Sequence, residues 1–162
     1  MRFPVSVPQS KTPESRVPMK AIKIATVPPP SIQAECTLKD AIPAISRQHG
    51  CAVAVMDGNR LVGSLSRDDV LSRVVGSGLN PALTKVSQVM DSPAFTLPLD
   101  VEASEALQWM SSNRKCYLGL VDDGGVLKGW IAICDLFANH VEDLTRELDS
   151  LAAYIAADGP GG

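Results

Sequence analysis

Apolar residues fall at helical spacing between residues 37 and 48, where Leu38, Ala41, Ile42 and Ile45 share one face. That spacing predicts a helix. Pro43 lies inside it and removes a backbone donor, so a distorted first turn or a later start is expected. Cys51 to Met56 is a continuous apolar run, too short for a helix and rich in β-formers. Asp57-Gly58-Asn59 has the composition of a hairpin turn, and Leu61 to Leu65 reads as the returning strand. A helix is predicted through Val70, Leu71, Val74 and Val75, ending at Gly76-Ser77-Gly78. A short strand near Ser31-Ile32-Gln33 precedes all of this.

The same order then recurs. A shift of about sixty-five residues lays the chain on itself: Cys51 meets Cys116, Asp57 meets Asp122, and Ala41-Ile42 meets Ala106-Leu107. The second copy predicts a strand near Phe95 to Leu97, a helix from Val101 to Asn113, strands at Tyr117 to Val121 and Val126 to Ile131, and a long helix from about Asp135. A repeat this short cannot bury its apolar face alone, so the copies must pack on each other as a pseudo-two-fold pair. The fold class is therefore α/β of the α+β type, each repeat running strand-helix-strand-strand-helix. Residues 1–20, with Pro4, Pro8, Pro13 and Pro18, are expected to form a disordered basic arm. Repeat 1 is placed at 21–80, repeat 2 at 81–140, and a C-terminal helix with a flexible tail at 141–162.

Composition narrows the function classes. The net charge of −3 offers no footprint for nucleic acid. The first residues hold Arg2, Lys11, Arg16, Lys20 and Lys23 against Glu14, but no apolar signal segment follows them. No apolar stretch reaches the roughly eighteen residues of a membrane span, so a cytoplasmic location is expected. Four cysteines (36, 51, 116, 134) and two histidines (49, 140) have no zinc-site spacing, and no metal site is expected. Cys51 and Cys116, at matching strand starts, read as buried thiols acting as small hydrophobes; a redox switch is the minor alternative.

Each repeat closes on G-x-x-[ST]-x-x-D or a near relative: Gly63-Ser64-Leu65-Ser66-Arg67-Asp68-Asp69, and Gly129-Trp130-Ile131-Ala132-Ile133-Cys134-Asp135. With the acidic hairpins at Met56-Asp57-Gly58 and Val121-Asp122-Asp123-Gly124, these motifs make the chain resemble a tandem CBS domain pair, or Bateman module, over roughly residues 22–140. The resemblance implies a sensor of adenosine-containing ligands, with clefts between the repeats and association as dimers of pairs.

In the first copy Gly63 is expected to let a ligand approach the strand, and Ser66 to present a hydroxyl at a helix start, where free N–H groups suit phosphate. By resemblance Asp69 would bind ribose, and the adenine would lie near Val27-Pro28 and the strand from Cys51. Ser66-x-x-Asp69 is equally a variant of the capping box, which needs no ligand. In the second copy Ala132 cannot cap, yet Asp135 remains, which fits ribose or an acidic first turn. Arg114 and Lys115 hold the place from which a basic residue often meets phosphate in such sites; a solvated helix end is the other reading. The first copy has only His49 there, more often a surface residue than a ligand. Ligands with one phosphate or none are therefore favoured. The candidates are AMP, ADP, ATP and S-adenosylmethionine, and no cofactor is expected.

Phe137, Val141, Leu144, Leu148, Leu151 and Ile155 alternate spacings of four and three, a heptad seam. It predicts a homodimer contact, transmission to an unknown effector protein, or packing back onto the module. The chain holds no phosphate-loop motif, metal cluster or G-x-S-x-G. It reads as a non-catalytic regulatory module and not an enzyme. The alternative is a ligand-free structural dimerisation module.

Overall fold

The computed structural model describes residues 18–47 and 52–157. Most of the basic arm, His49, Cys51 and the last five residues lie outside the described residues.

The first unit runs β1 (Ser31–Gln33), α1 (Leu38–Arg47), β2 (Ala52–Asp57) and β3 (Arg60–Ser66), then a single turn, α2 (Arg67–Asp69). Strand β1 pairs parallel to β2, and β2 antiparallel to β3. The second unit repeats this with β4 (Thr96–Pro98), α3 (Ala103–Asn113), β5 (Tyr117–Val121), β6 (Leu127–Ala132) and the 25-residue α4 (Ile133–Ala157). The two three-stranded sheets have the same order. The duplicated pattern thus emerges as duplicated topology.

Local chemistry accounts for these elements. Gly58 holds φ +58° in the first hairpin, a conformation that L side chains rarely adopt. The second turn is tied by Asp122, whose Oδ1 accepts from Gly124 N–H (3.0 Å) and Val126 N–H (2.9 Å). Pro43 sits well inside an otherwise regular α1, contrary to the expected distortion of the first turn. The helix predicted through Val70 is π-helical over Val70–Val75, with Gly76 N–H reaching Leu71 O at 2.9 Å. That looser winding leaves Leu71 and Val75 exposed and buries Val74.

Side chains alternate across each sheet. One face of the first sheet buries Val53, Val55 and Leu65 against Leu38, Ala41 and Ile45 of α1. Leu118, Leu120 and Ile131 do the same against Ala106 and Met110 of α3. Each large aliphatic side chain fully buried this way contributes about 1.5–3 kcal/mol. The other faces meet each other. Ala52 and Ala54 of the first sheet cluster with Trp130 and Tyr117 of the second.

The flanking segments are exchanged. Residues before the first unit form a 3-10 turn at Ala21–Lys23 that packs into the second core, and Thr26 exchanges hydrogen bonds with Trp130 of β6 (2.8 and 3.1 Å). Residues before the second unit form a 3-10 turn at Val86–Gln88 that packs into the first core, and Asp91 exchanges hydrogen bonds with Ser64 of β3 (2.9 and 2.8 Å). Each core is completed by the segment that precedes the other unit in sequence. The boundaries expected at 21–80 and 81–140 therefore do not separate two packing units.

Candidate functional site

Strand β3 ends on Ser66, and α2 begins at once. The Ser66 hydroxyl accepts from Asp69 N–H (3.1 Å), while Asp69 Oδ2 accepts from Ser66 N–H (2.9 Å) and from the Ser66 hydroxyl (2.6 Å). This is a complete capping box. Both side chains are buried. Removing Asp69 would leave the buried Ser66 groups unpaired, so it should cost more than the ~1 kcal/mol of an exposed cap.

Three further residues, none expected from the sequence, join this pair. Arg73, one turn beyond Asp69, places Nη2 3.5 Å from Asp69 Oδ1 and 3.6 Å from Asp91 Oδ1. Its Nη1 donates to the carbonyls of Val89 (2.8 Å) and Met90 (2.9 Å). Arg73 thereby ties the exchanged segment to the first unit. The third newcomer is Tyr117 of β5, which comes from the second unit and sits beside Ser64 and Ser66. Burial raises its phenol pKa above the usual value; the Ser66 and Ser64 hydroxyls pull it down, and Asp69 and Asp91 push it up. The Asp69–Arg73 spacing of four residues was the available sequence signal for Arg73. Tyr117 had none, since only packing brings it there.

Gly63 needs its missing Cβ for a reason other than ligand approach. A Cβ there would lie 2.5 Å from the Asp91 carbonyl oxygen and 2.9 Å from Met90 Sδ. What approaches the strand is the chain's own exchanged segment. Val27 and Pro28 link the two sheets, between Thr26 on β6 and Pro30 on β2. The Thr26–Trp130 bridge is antiparallel, so Val27-Pro28 leaves β6 in the direction of Lys128, away from Asp135, and Pro30 O then accepts from Ala54 N–H of β2 (2.9 Å). Both segments carry a cis proline, at Val27-Pro28 and Ser92-Pro93.

At the end of β6, Asp135 is half-buried in the first turn of α4, just beyond the buried Ala132. Ile133 N–H donates to Cys116 O (2.8 Å), which brings the end of α3 to the same corner. Arg114 caps α3 in the left-handed region (φ +52°) and is exposed, and Lys115 lies 3.8 Å over the Phe95 ring. Cys116 and Cys134 are exposed, which corrects the reading of Cys116 as a buried thiol: it lies in the short link before β5, ahead of the first buried position.

Ser64 and Trp130 hold matching places after Gly63 and Gly129. The Trp130 indole N–H is buried and meets no hydrogen-bond partner among the described residues, and the buried Ser64 hydroxyl faces Tyr117. The Trp130 ring stacks on Tyr117 at 5.8 Å and 20°. The junction thus sets small residues of one sheet against an aromatic pair of the other. Among the described residues no cluster of His, Cys, Asp and Glu could hold a metal ion, and no helix is long and apolar enough to cross a membrane.

This duplicated β-α-β-β frame, closed by an acidic helix start, meets a known family. Residues 21–76 match the model of the CBS domain. The chain carries a CBS domain. A protein of Methanopyrus kandleri is 30% identical over 92 residues, 56% of this chain and 47% of its own length. A solved protein with CBS domains from Burkholderia ambifaria superposes with a TM-score of 0.68 at 23% identity, covering 77% of this chain and 96% of that one. The CBS domain of a bacterial CNNM/CorC-family Mg2+ transporter, solved in complex with ATP, covers 74% of this chain and 84% of that one, with a TM-score of 0.62 and 20% identity. At those identities the structural likeness carries the fold, and it extends through both units. The chain spans between 11% and 47% of the length of the first curated relatives it matches. CBS-domain proteins act as regulatory modules.

Proposed function

We propose that this protein is a non-catalytic cytoplasmic sensor that binds an adenosine-containing ligand between its two CBS-type units, self-associates, and signals to an effector protein. The observation that carries the reading is the convergence of Ser66, Asp69, Arg73, Asp91 and Tyr117, from both units and an exchanged segment, on one corner of the junction. A ligand there touches every part whose relative position could change. Asp69 is suited to accept from ribose hydroxyls, as carboxylates do in dinucleotide-binding folds. Two carboxylates against one arginine disfavour a highly charged phosphate chain, which supports adenosine, AMP or S-adenosylmethionine over ADP and ATP. The second corner, with Arg114 and Lys115 near Asp135, suits phosphate better. ATP bound to a CBS domain of the same fold supports the ligand class.

Calorimetry with adenosine, AMP, ADP, ATP and S-adenosylmethionine tests the proposal. Binding that Asp69→Ala abolishes and Asp135→Ala leaves largely intact is the expected result. Failure of all five to bind would refute it. One observation favours a second reading, a ligand-free dimerisation module: the Asp69 carboxylate is already satisfied by Ser66 and faces Arg73. In that case no nucleotide raises the melting temperature, because nothing binds the folded state selectively.

A further inference from the structure

Helix α4 outgrows the module that nucleates it. Its first turns are anchored, with Leu136 buried in the second core. Beyond them the six residues of the heptad seam are between 43% and 71% exposed. The seam therefore does not fold back onto the module, and α4 offers an apolar stripe with a preformed helical backbone. The nucleation cost that makes short isolated helices marginal has already been met by the fold.

We propose that this stripe is covered by the same stripe of a second copy, in a parallel two-stranded coiled coil. The proposal rests on the self-association reading above and adds its interface and orientation. Three features choose the occupant. The first is residue shape. With Phe137, Leu144 and Leu151 at the d positions, Val141, Leu148 and Ile155 fall at a. β-branched residues at a with leucine at d favour two parallel strands, and Val141, Leu144, Leu151 and Ile155 fit that pattern while Phe137 and Leu148 depart from it. The second is charge. The flanking e positions are Ala138, Thr145 and Ala152, so a parallel pairing sets Glu147, at g, against Ala152 of the other copy. An antiparallel pairing over the full seam would bring Glu147 toward its own counterpart, a like-charge contact. The remaining charges, Glu142, Asp143, Arg146 and Asp149, lie at b, c and f and face water. The third is area. Covering the half-exposed seam on two helices removes on the order of 1,000 Å² of apolar surface, near the lower bound for a specific interface. The coil fits a dissociable dimer.

Orientation also has a consequence for the sites. A parallel coil grows from two α4 starts at the same end, so the two Asp135 corners become neighbours across the dimer axis.

Light scattering of the full chain at tens of micromolar, followed by oxidative cross-linking of single-cysteine additions, tests this. Native protein serves as the background for its own cysteines, and cross-linked peptides are identified by mass. A dimer in which Leu151→Cys links to itself, while the outward Asp149→Cys does not, is expected. The exposed change Leu148→Asp should shift the dimer to monomer with unchanged helical circular dichroism. A dimer in which Leu151→Cys links only to Val141→Cys would show an antiparallel coil and overturn the orientation. A dimer that neither links along the seam nor dissociates with Leu148→Asp would overturn the interface while leaving self-association standing. A monomeric native protein would remove both.

Discussion

The two units share a topology and differ in what fills their facing sheets. The first presents Ala52, Ala54, Ser64 and Ser66 to the junction; the second presents Tyr117, Trp130 and Ala132. The first closes on a buried, fully bonded capping box held by Arg73. The second closes on an aspartate without a hydroxyl partner at 132, next to basic residues. The two units keep one frame while their two corners differ in chemistry. The first corner is rigid, acidic and internally satisfied. The second is more open and more basic.

Glycine sharpens the contrast most. At Gly63 an added Cβ meets backbone, the Asp91 carbonyl, which cannot step aside without breaking the Ser64–Asp91 pairing. Gly63→Ala should lose about 3 kcal/mol by urea denaturation, the upper part of the range for overpacking. At Gly129 the nearest atom is the tip of the Ile22 side chain at 2.7 Å, which can rotate. Gly129→Ala should lose about 1 kcal/mol. Equal losses would show that the exchanged segments are held equally tightly, and the asymmetry would fail.

Next comes the acidic pair. Asp69→Ala strips two bonds from buried Ser66 and leaves Arg73 facing Asp91 alone, a loss of about 2 kcal/mol. Asp135→Ala, at a half-exposed helix start, should lose no more than about 0.5 kcal/mol. Thermal melts of the two variants side by side decide this, and a larger shift for Asp135→Ala would reverse the assignment of corners. The converse change is Ala132→Ser. It places a hydroxyl three residues before Asp135 and should build the missing capping box, raising stability by about 1 kcal/mol. No gain would mean that Asp135 is held away from the helix start for another purpose.

The smallest effect is Tyr117→Phe, below about 1 kcal/mol at neutral pH. Its signature is in the pH dependence. The folded state raises the phenol pKa above 10.0, so the neutral phenol is favoured by folding. That contribution is complete below pH 10 and fades as pH rises through the folded value. Stability should therefore fall less steeply above pH 10 in Tyr117→Phe than in the native protein. Parallel curves would show that the phenol is not desolvated at the junction.

Much of this architecture was legible in the order of residues. Gly58 and Asp122 marked both hairpins, and the leucine spacing marked α4, because these features are local. The Ser66-x-x-Asp69 motif was recognised with both its meanings, and the structure realises the capping one. What was not legible is what only packing decides. Gly63 was read as room for a ligand, although a backbone segment nearly thirty residues away in the chain occupies that room. Tyr117 sits in a strand like any other until two sheets are placed face to face. The π-helical winding at Val70–Val75 also escaped, since apolar spacing of three and four suits an α-helix as well.

The exchange of flanking segments bears on how such a module can be divided. A fragment cut at the 76–83 connection carries one set of strands and the other's closing turn. Residues 18–80 alone would lack Val86 and Asp91, and residues 81–157 alone would lack Ala21 and Thr26. Neither piece is a smaller version of the protein. Mixed together, however, each supplies what its partner misses, so a nicked chain should hold together and a single excised repeat should not fold. The folding unit is the pair, because each core closes on a segment that the other unit's half of the chain supplies.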